Sequence, residues 1–277
     1  MLGGSTTNER YVDDAATWVA RLQENFRRSG VPLAIANASV DGQTSIGHVA
    51  AVEQWLKKIP DFRPSHALVY IGINDVVVDE AQMHQFDLMM SPEPSRRFRQ
   101  YIMNHSALYN LFRTIRGSWA AREAHLVHGD TRASQGSWIR VETPEDVNSL
   151  RTALATRLSS YEARLRTLAS ALQSMGAQPI LVTQKSDNHK TVDGASYALR
   201  GTVPPKSIDA QVKTLALFNE VILATCRKLS LVCVDLAAQI EFADGDFYDA
   251  IHTTPSGSAK IADFLYGELK DVLKPRP

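Results

Sequence analysis

The sequence is short of several things, and each shortage excludes something. Cysteine is nearly missing: Cys226 and Cys233 stand alone in 277 residues, too few for a disulfide framework. One falls late in a helical pattern and the other in an apolar strand, so two buried, reduced thiols are expected. Net charge is missing too. Thirty Lys and Arg balance thirty Asp and Glu, which leaves no electrostatic footprint for nucleic acid or an anionic membrane and suits a small or neutral substrate. No apolar run reaches the roughly 20 residues of a membrane-spanning helix, and no signal peptide is visible, so no integral membrane segment is expected. A P-loop, a dinucleotide fingerprint, an HExxH pair and zinc-type Cys spacing are all absent; no cofactor is expected. His125, His128 and Asp130 are of ligand-like types, but the rest of a zinc set is lacking and no metal is assigned. The Gly-x-Ser-x-Gly elbow is absent as well, which separates the chain from the α/β-hydrolases.

What is present is apolar content of 44%, enough for one large core. A single domain over residues 1–277 is expected, with a lid-like insertion at about 121–143 and a long polar loop at 185–208. Short apolar strands at 32–37, 66–72, 179–183 and 231–236 alternate with helical patterns at 14–28, 44–56, 93–119, 144–175, 209–228 and 256–273. Alternation of this kind predicts an α/β fold, a doubly wound parallel sheet with right-handed crossovers and helices on both faces. Ligands of such sheets bind beyond the C-terminal strand ends.

The polar residues at those ends are therefore the informative ones. Ser5 follows Gly3-Gly4, Gly42 follows the second strand, Asn74 the third, and Asp249 with His252 comes after the last. A serine, an imidazole, a carboxylate, an amide and a bare backbone N–H are the parts of acyl-transfer chemistry. The hydroxyl is a poor nucleophile until an imidazole takes its proton, and a carboxylate must hold that imidazole in the right tautomer. The blander readings are a tail serine for Ser5, a turn cap for Asn74 and a positive-φ turn for Gly42. Asp75 is expected to cap or bridge loops. Phe86, Met89, Met90 and Tyr109 are read as core packing that could also line an acyl pocket.

Taken together the blocks resemble those of the SGNH/GDSL hydrolase family. Gly3-Gly4-Ser5-Thr6-Thr7 resembles the nucleophile block in its Gly-Gly-Ser-Thr-Thr variant. The stretch from Asn37 through Gly42 to Ser45 resembles the second block, Gly72-Ile73-Asn74-Asp75 the third, and Asp249-Ala250-Ile251-His252 the last. They occur in family order and span residues 3–257.

The resemblance implies a flavodoxin-like, three-layer α/β/α fold and a serine hydrolase acting on small carboxylic esters through an acyl-Ser5 intermediate. Ser5 would be the nucleophile, His252 the general base and then acid, and Asp249 its orienting carboxylate. The N–H groups of Ser5 and Gly42 and the Asn74 amide would form the oxyanion hole. The same parts would serve O-acyl transfer to a carbohydrate, and a non-catalytic binding domain would keep the fold without the chemistry; both stay open. Two departures stand out. The more familiar Gly-Asp-Ser-Leu block has aspartate where this chain has Gly4, and the family's first strand is reduced here to Met1 and Leu2. A truncated first strand predicts a gap between strands two and three and a poorly held Ser5, unless another segment fills the slot. It also leaves room for an upstream export or anchor sequence, so neither compartment nor oligomeric state is assigned.

Overall fold

Period-two alternation in four short strands organises the molecule. In the computed structural model, which describes residues 1–77, 106, 136–201 and 203–273, β1 (Leu2–Gly3), β2 (His66–Tyr70), β4 (Gln178–Val182) and β7 (Val232–Val234) form a parallel sheet in the order β1-β2-β4-β7. Strand residues two apart share a face. Ala67, Val69, Ile71 and Leu181 thus turn one way, and Leu68, Tyr70, Ile180 and Val182 the other. Helices α3 (Ser45–Gln54), α6 (Ala155–Ser174) and α7 (Pro205–Leu229) cover the first face; α2 (Trp18–Arg28) and α9 (Pro255–Leu269) cover the second. This is the three-layer α/β/α arrangement expected. Leu22 and Phe26 of α2 are wholly buried, and burying side chains of that size stabilises by about 1.5–3 kcal/mol each. The remaining α-helices among the described residues, α1 (Ser5–Asn8), α4 (Ile73–Val77), α5 (Val147–Ala153) and α8 (Leu236–Gln239), are short.

Several details differ from expectation. Residues 32–37 form no regular strand, yet backbone bonds tie this stretch to β1. The Met1 amino group donates to the Ala36 carbonyl at 2.6 Å, and the Ala38 and Val40 N–H groups donate to Met1 and Gly3 at 3.0 and 3.1 Å. With β2 on its other side, β1 fills the slot where a gap was expected. Two residues suffice because a strand's ladder bonds come from the backbone alone.

The stretch read as a polar loop, 185–208, contains a hairpin of β5 (His189–Val192) and β6 (Ala195–Leu199), and β6 also pairs with β3 (Trp138–Arg140). Its turn, Asp193-Gly194, has φ of 48° and 75°. An Asp-Gly dipeptide between alternating residues signals such a hairpin. The single helix expected over 144–175 is two, with Leu154 (φ −95°, ψ 5°) between α5 and α6.

The two cysteines are not reduced thiols: Cys226 and Cys233 are joined in a disulfide, their Cα atoms 6.1 Å apart. The helix α7 ends at Ser230, whose left-handed backbone (φ 53°, ψ 41°) turns the chain back so that β7 runs beside the last helical turn. Seven residues are enough to bring them together.

By internal contacts the chain separates into two units, Met1–Asp79 with Thr131–Pro277, and Glu80–Asp130. The site below lies wholly in the first. The helix expected over 93–119 lies outside the described residues except for Ser106, and the lid-like segment lies outside them up to residue 135. Phe86, Met89, Met90, Tyr109, His125, His128 and Asp130 lie outside them too. No helix among the described residues is long and apolar enough to cross a membrane.

Candidate active site

Ser5 is the first residue of α1, a helix of a single turn. Its N–H therefore belongs to the first turn, where no intrahelical carbonyl can accept it, and the helix N-terminus favours negative charge there. Gly4 is the N-cap. A Cβ on residue 4 would overlap Nδ2 of Asn74, so glycine lets that amide lie against the backbone beside Ser5. The departure from the Gly-Asp-Ser-Leu form thus has a steric meaning here.

On one side of Ser5 stands the base loop. His252 Nε2 is 2.8 Å from Ser5 Oγ, and its Nδ1 is 2.7 Å from Asp249 Oδ2. A carboxylate only accepts, so Nδ1 carries the proton and Nε2 faces the hydroxyl with its lone pair. Oδ1 of Asp249 accepts the N–H groups of Ile251 and His252 at 2.9 and 2.8 Å. Residues 249–252 form no helical turn. An Asx turn closed by the aspartate itself brings the two side chains together. An antiparallel bridge, Phe247 to Thr253, and a 3.0 Å bond from the Tyr248 N–H to the His252 carbonyl shut the loop. The Tyr248 ring stacks on the imidazole, centroids 5.6 Å apart and planes 10° from parallel. Burial pushes Asp249 up, but the imidazole and the two amides outweigh it and hold its pKa below the ordinary value. Burial and the Asp249 charge push the Tyr248 phenol well up, which keeps it protonated.

On the other side is the amide loop. Gly42 takes φ 72° in a turn closed by the Gln43 N–H on the Val40 carbonyl at 3.1 Å, a conformation glycine adopts without penalty. Asn74, in α4, donates Nδ2 to the Gln43 carbonyl at 3.0 Å; its second amide hydrogen is left for another acceptor. Asp75, expected to bridge loops, does so: it accepts the Ser45 N–H at 2.9 Å and the Ser45 hydroxyl at 2.5 Å, with Arg164 3.6 Å away. Burial pushes its carboxyl above the ordinary range against those donors.

The structure thus gathers Ser5, Asp249 and His252 in one hydrogen-bonded line, and sets Asn74 and the Gly42–Gln43 turn beside Gly4. Sequence reasoning missed Gln184. Its Oε1 accepts the Ile73 N–H at 2.7 Å and its Nε2 donates to Thr6 Oγ1 at 3.0 Å, so it ties α4 to α1. Asn219 of α7 exchanges two bonds with the Gln184 backbone, 3.1 and 2.8 Å long. Glu9 was missed too. Nothing local in the sequence marks either residue.

Solved structures share this architecture. TesA matches with a TM-score of 0.51 at 15% identity, covering 98% of this chain and 97% of its own. The psychrotrophic esterase EstA from Pseudoalteromonas sp., in a form inhibited by monoethylphosphonate, gives 0.52 at 14% identity, with 98% and 96% covered. Axe2, an acetylxylan esterase from Geobacillus stearothermophilus, gives 0.52 at 15%, with 97% and 91% covered. At such identities the likeness is one of fold. No curated protein matches the chain in sequence. The GDSL-like lipase/acylhydrolase family matches residues 1–260, and the chain belongs to that family of ester-hydrolysing enzymes.

Proposed function

We propose that the protein hydrolyses small carboxylic esters, acetyl or short acyl, through an acyl-Ser5 intermediate. His252 Nε2 takes the Ser5 proton as Oγ attacks the carbonyl carbon. The tetrahedral oxyanion is held by the N–H groups of Ser5 and Gly42 and the Asn74 amide. His252 then gives the proton to the leaving alkoxide, and the C–O bond breaks. Water repeats the sequence in the second half, with His252 again as base and then acid, and frees the acid and Ser5. Asp249 keeps the imidazole in the Nδ1–H tautomer and balances its transient charge.

The observation that supports this reading is the line from Ser5 Oγ through His252 to Asp249, with links of 2.8 and 2.7 Å. A binding domain that had dropped the chemistry would have no need to keep it. The acetylxylan esterase activity of the fold relative Axe2 makes acetyl esters the first substrates to assay. A sugar hydroxyl could replace water in the second half, and product analysis with a carbohydrate acceptor present separates the two outcomes. The decisive assay is release of p-nitrophenol from p-nitrophenyl acetate: an initial burst is expected in the wild type and none in Ser5→Ala or His252→Ala. Unchanged turnover in both variants would end the proposal.

A further inference from the structure

The nucleophile helix α1 has only four residues, one turn, and so short a helix cannot hold its own geometry. Something else must fix Ser5 relative to His252. Glu9, the C-cap of α1, is held in the left-handed region (φ 46°, ψ 42°), which carries its side chain inward until the residue is only 5% exposed. Its carboxylate spans three elements. Oε2 accepts the Trp18 N–H, at the start of α2, at 2.5 Å. Oε1 accepts the Thr253 hydroxyl at 2.8 Å and the Ser258 hydroxyl of α9 at 2.5 Å. The Trp18 indole returns to the same helix by donating to the Thr6 carbonyl at 3.0 Å.

Thr253 is the residue after His252 and one half of the bridge that closes the base loop. Glu9 therefore links the nucleophile turn to the base loop independently of the Ser5–His252 hydrogen bond. We propose that Glu9 is a positioning residue for the acyl-transfer reaction: through Thr253 it sets the distance and angle at which His252 meets Ser5. It touches neither substrate nor reacting atoms. A misplacement of about 1 Å in such a pair costs on the order of 100-fold in rate, and a carboxylate accepting three donors is stiffer than the four-residue helix it anchors. The inference rests on Ser5 and His252 being the catalytic pair.

The test uses the full chain and p-nitrophenyl acetate, with active sites counted by fluorophosphonate titration. Glu9→Gln, which turns one acceptor into a donor facing other donors, should lower kcat per titrated site by about 10- to 100-fold with KM within about twofold. Thr253→Val should do the same, and Thr253→Ser, which keeps the hydroxyl, should restore most of the rate. The double variant Glu9→Gln/Thr253→Val should fall no further than the worse single one, because both break one link. Full kcat per titrated site in both single variants, with only a lower Tm, would make Glu9 merely structural and overturn the proposal; so would losses that multiply. If Glu9→Gln folds poorly, the Thr253 pair decides alone. Ser5→Ala run alongside keeps the two claims apart. Turnover surviving there sinks the catalytic reading, whereas a dead Ser5→Ala beside a fully active Glu9→Gln sinks only this one.

Discussion

The two sides of Ser5 are held by carboxylates of opposite character. On the base side, Asp249 touches the imidazole and is kept below the ordinary carboxylate pKa by that contact and by two amides, despite its burial. On the amide side, Asp75 meets Ser45 and a more distant Arg164, and burial wins, pushing it up. In the proposed reaction the first carboxylate works by charge: ionised, it favours an imidazolium at His252. The second is a tie, holding the Ser45 end of α3 against α4 by accepting two donors. Loss of Asp249 should strike the chemistry, and loss of Asp75 the frame.

The largest test of that contrast is Asp249→Asn. An amide there can present a donor to Nδ1 and favour the wrong tautomer, so kcat should fall by about 10⁴ while Tm barely moves. Steady-state kinetics beside thermal unfolding would read both. Next comes Asn74→Ala, expected to lower kcat by about 10²–10³ as the proposed oxyanion donor is lost. Gly4→Asp, which puts the family's familiar residue back, should lower kcat by about 10- to 100-fold, since its Cβ displaces the same amide. A Gly4→Asp enzyme as fast as the wild type would show that Asn74 can move without loss. Asp75→Asn is milder in rate, about tenfold, but should lower stability by roughly 1–3 kcal/mol by leaving buried donors at Ser45 short of an acceptor. A loss from Asp75→Asn as large as that from Asp249→Asn would erase the distinction.

The last effect leaves the reaction aside and concerns stability against pH. His48, in α3 on the amide side, is wholly buried, and burial pushes its imidazole from 6.5 down to about 4. The folded state then binds a proton less readily than the unfolded chain. Stability should fall by about 1.4 kcal/mol per unit as pH drops from about 6.5 toward 4, and level off below. The Asp249 contribution has the same sign but a lower window. It is present above the unfolded value of 3.8 and lost only as pH falls through the depressed folded value. Denaturant unfolding across that range, with His48→Leu as reference, should show a shallower slope in the variant.

The parallel sheet, the helices on its two faces and the meeting of Ser5, His252 and Asp249 were legible because local pattern carries them: periodicity for the elements, residue type at strand ends for the cluster. Gln184 and Glu9 were not. A buried polar side chain looks like any surface one until its partners are known, and theirs lie 178 and 244 residues away. The three-residue Asp249–His252 spacing does not distinguish an Asx turn from a helical turn, because both bring residues three apart together. The disulfide escaped because a helix end and a strand start do not reveal their approach until the turn at Ser230 is seen. The hairpin at 189–199 was signalled by Asp193-Gly194, but its strands are too polar to stand out.

Ser5 and His252 are 247 residues apart in sequence and 2.8 Å apart in space. Contacts of that span close late, since the chain must first form the sheet between them. Reactivity of Ser5 toward a fluorophosphonate is therefore a marker of completed folding. A chain stopped anywhere before residue 252 carries Ser5 without the imidazole it bonds. On a ribosome, where the N-terminal part emerges first, Ser5 can meet its partner only after residue 252 has been made.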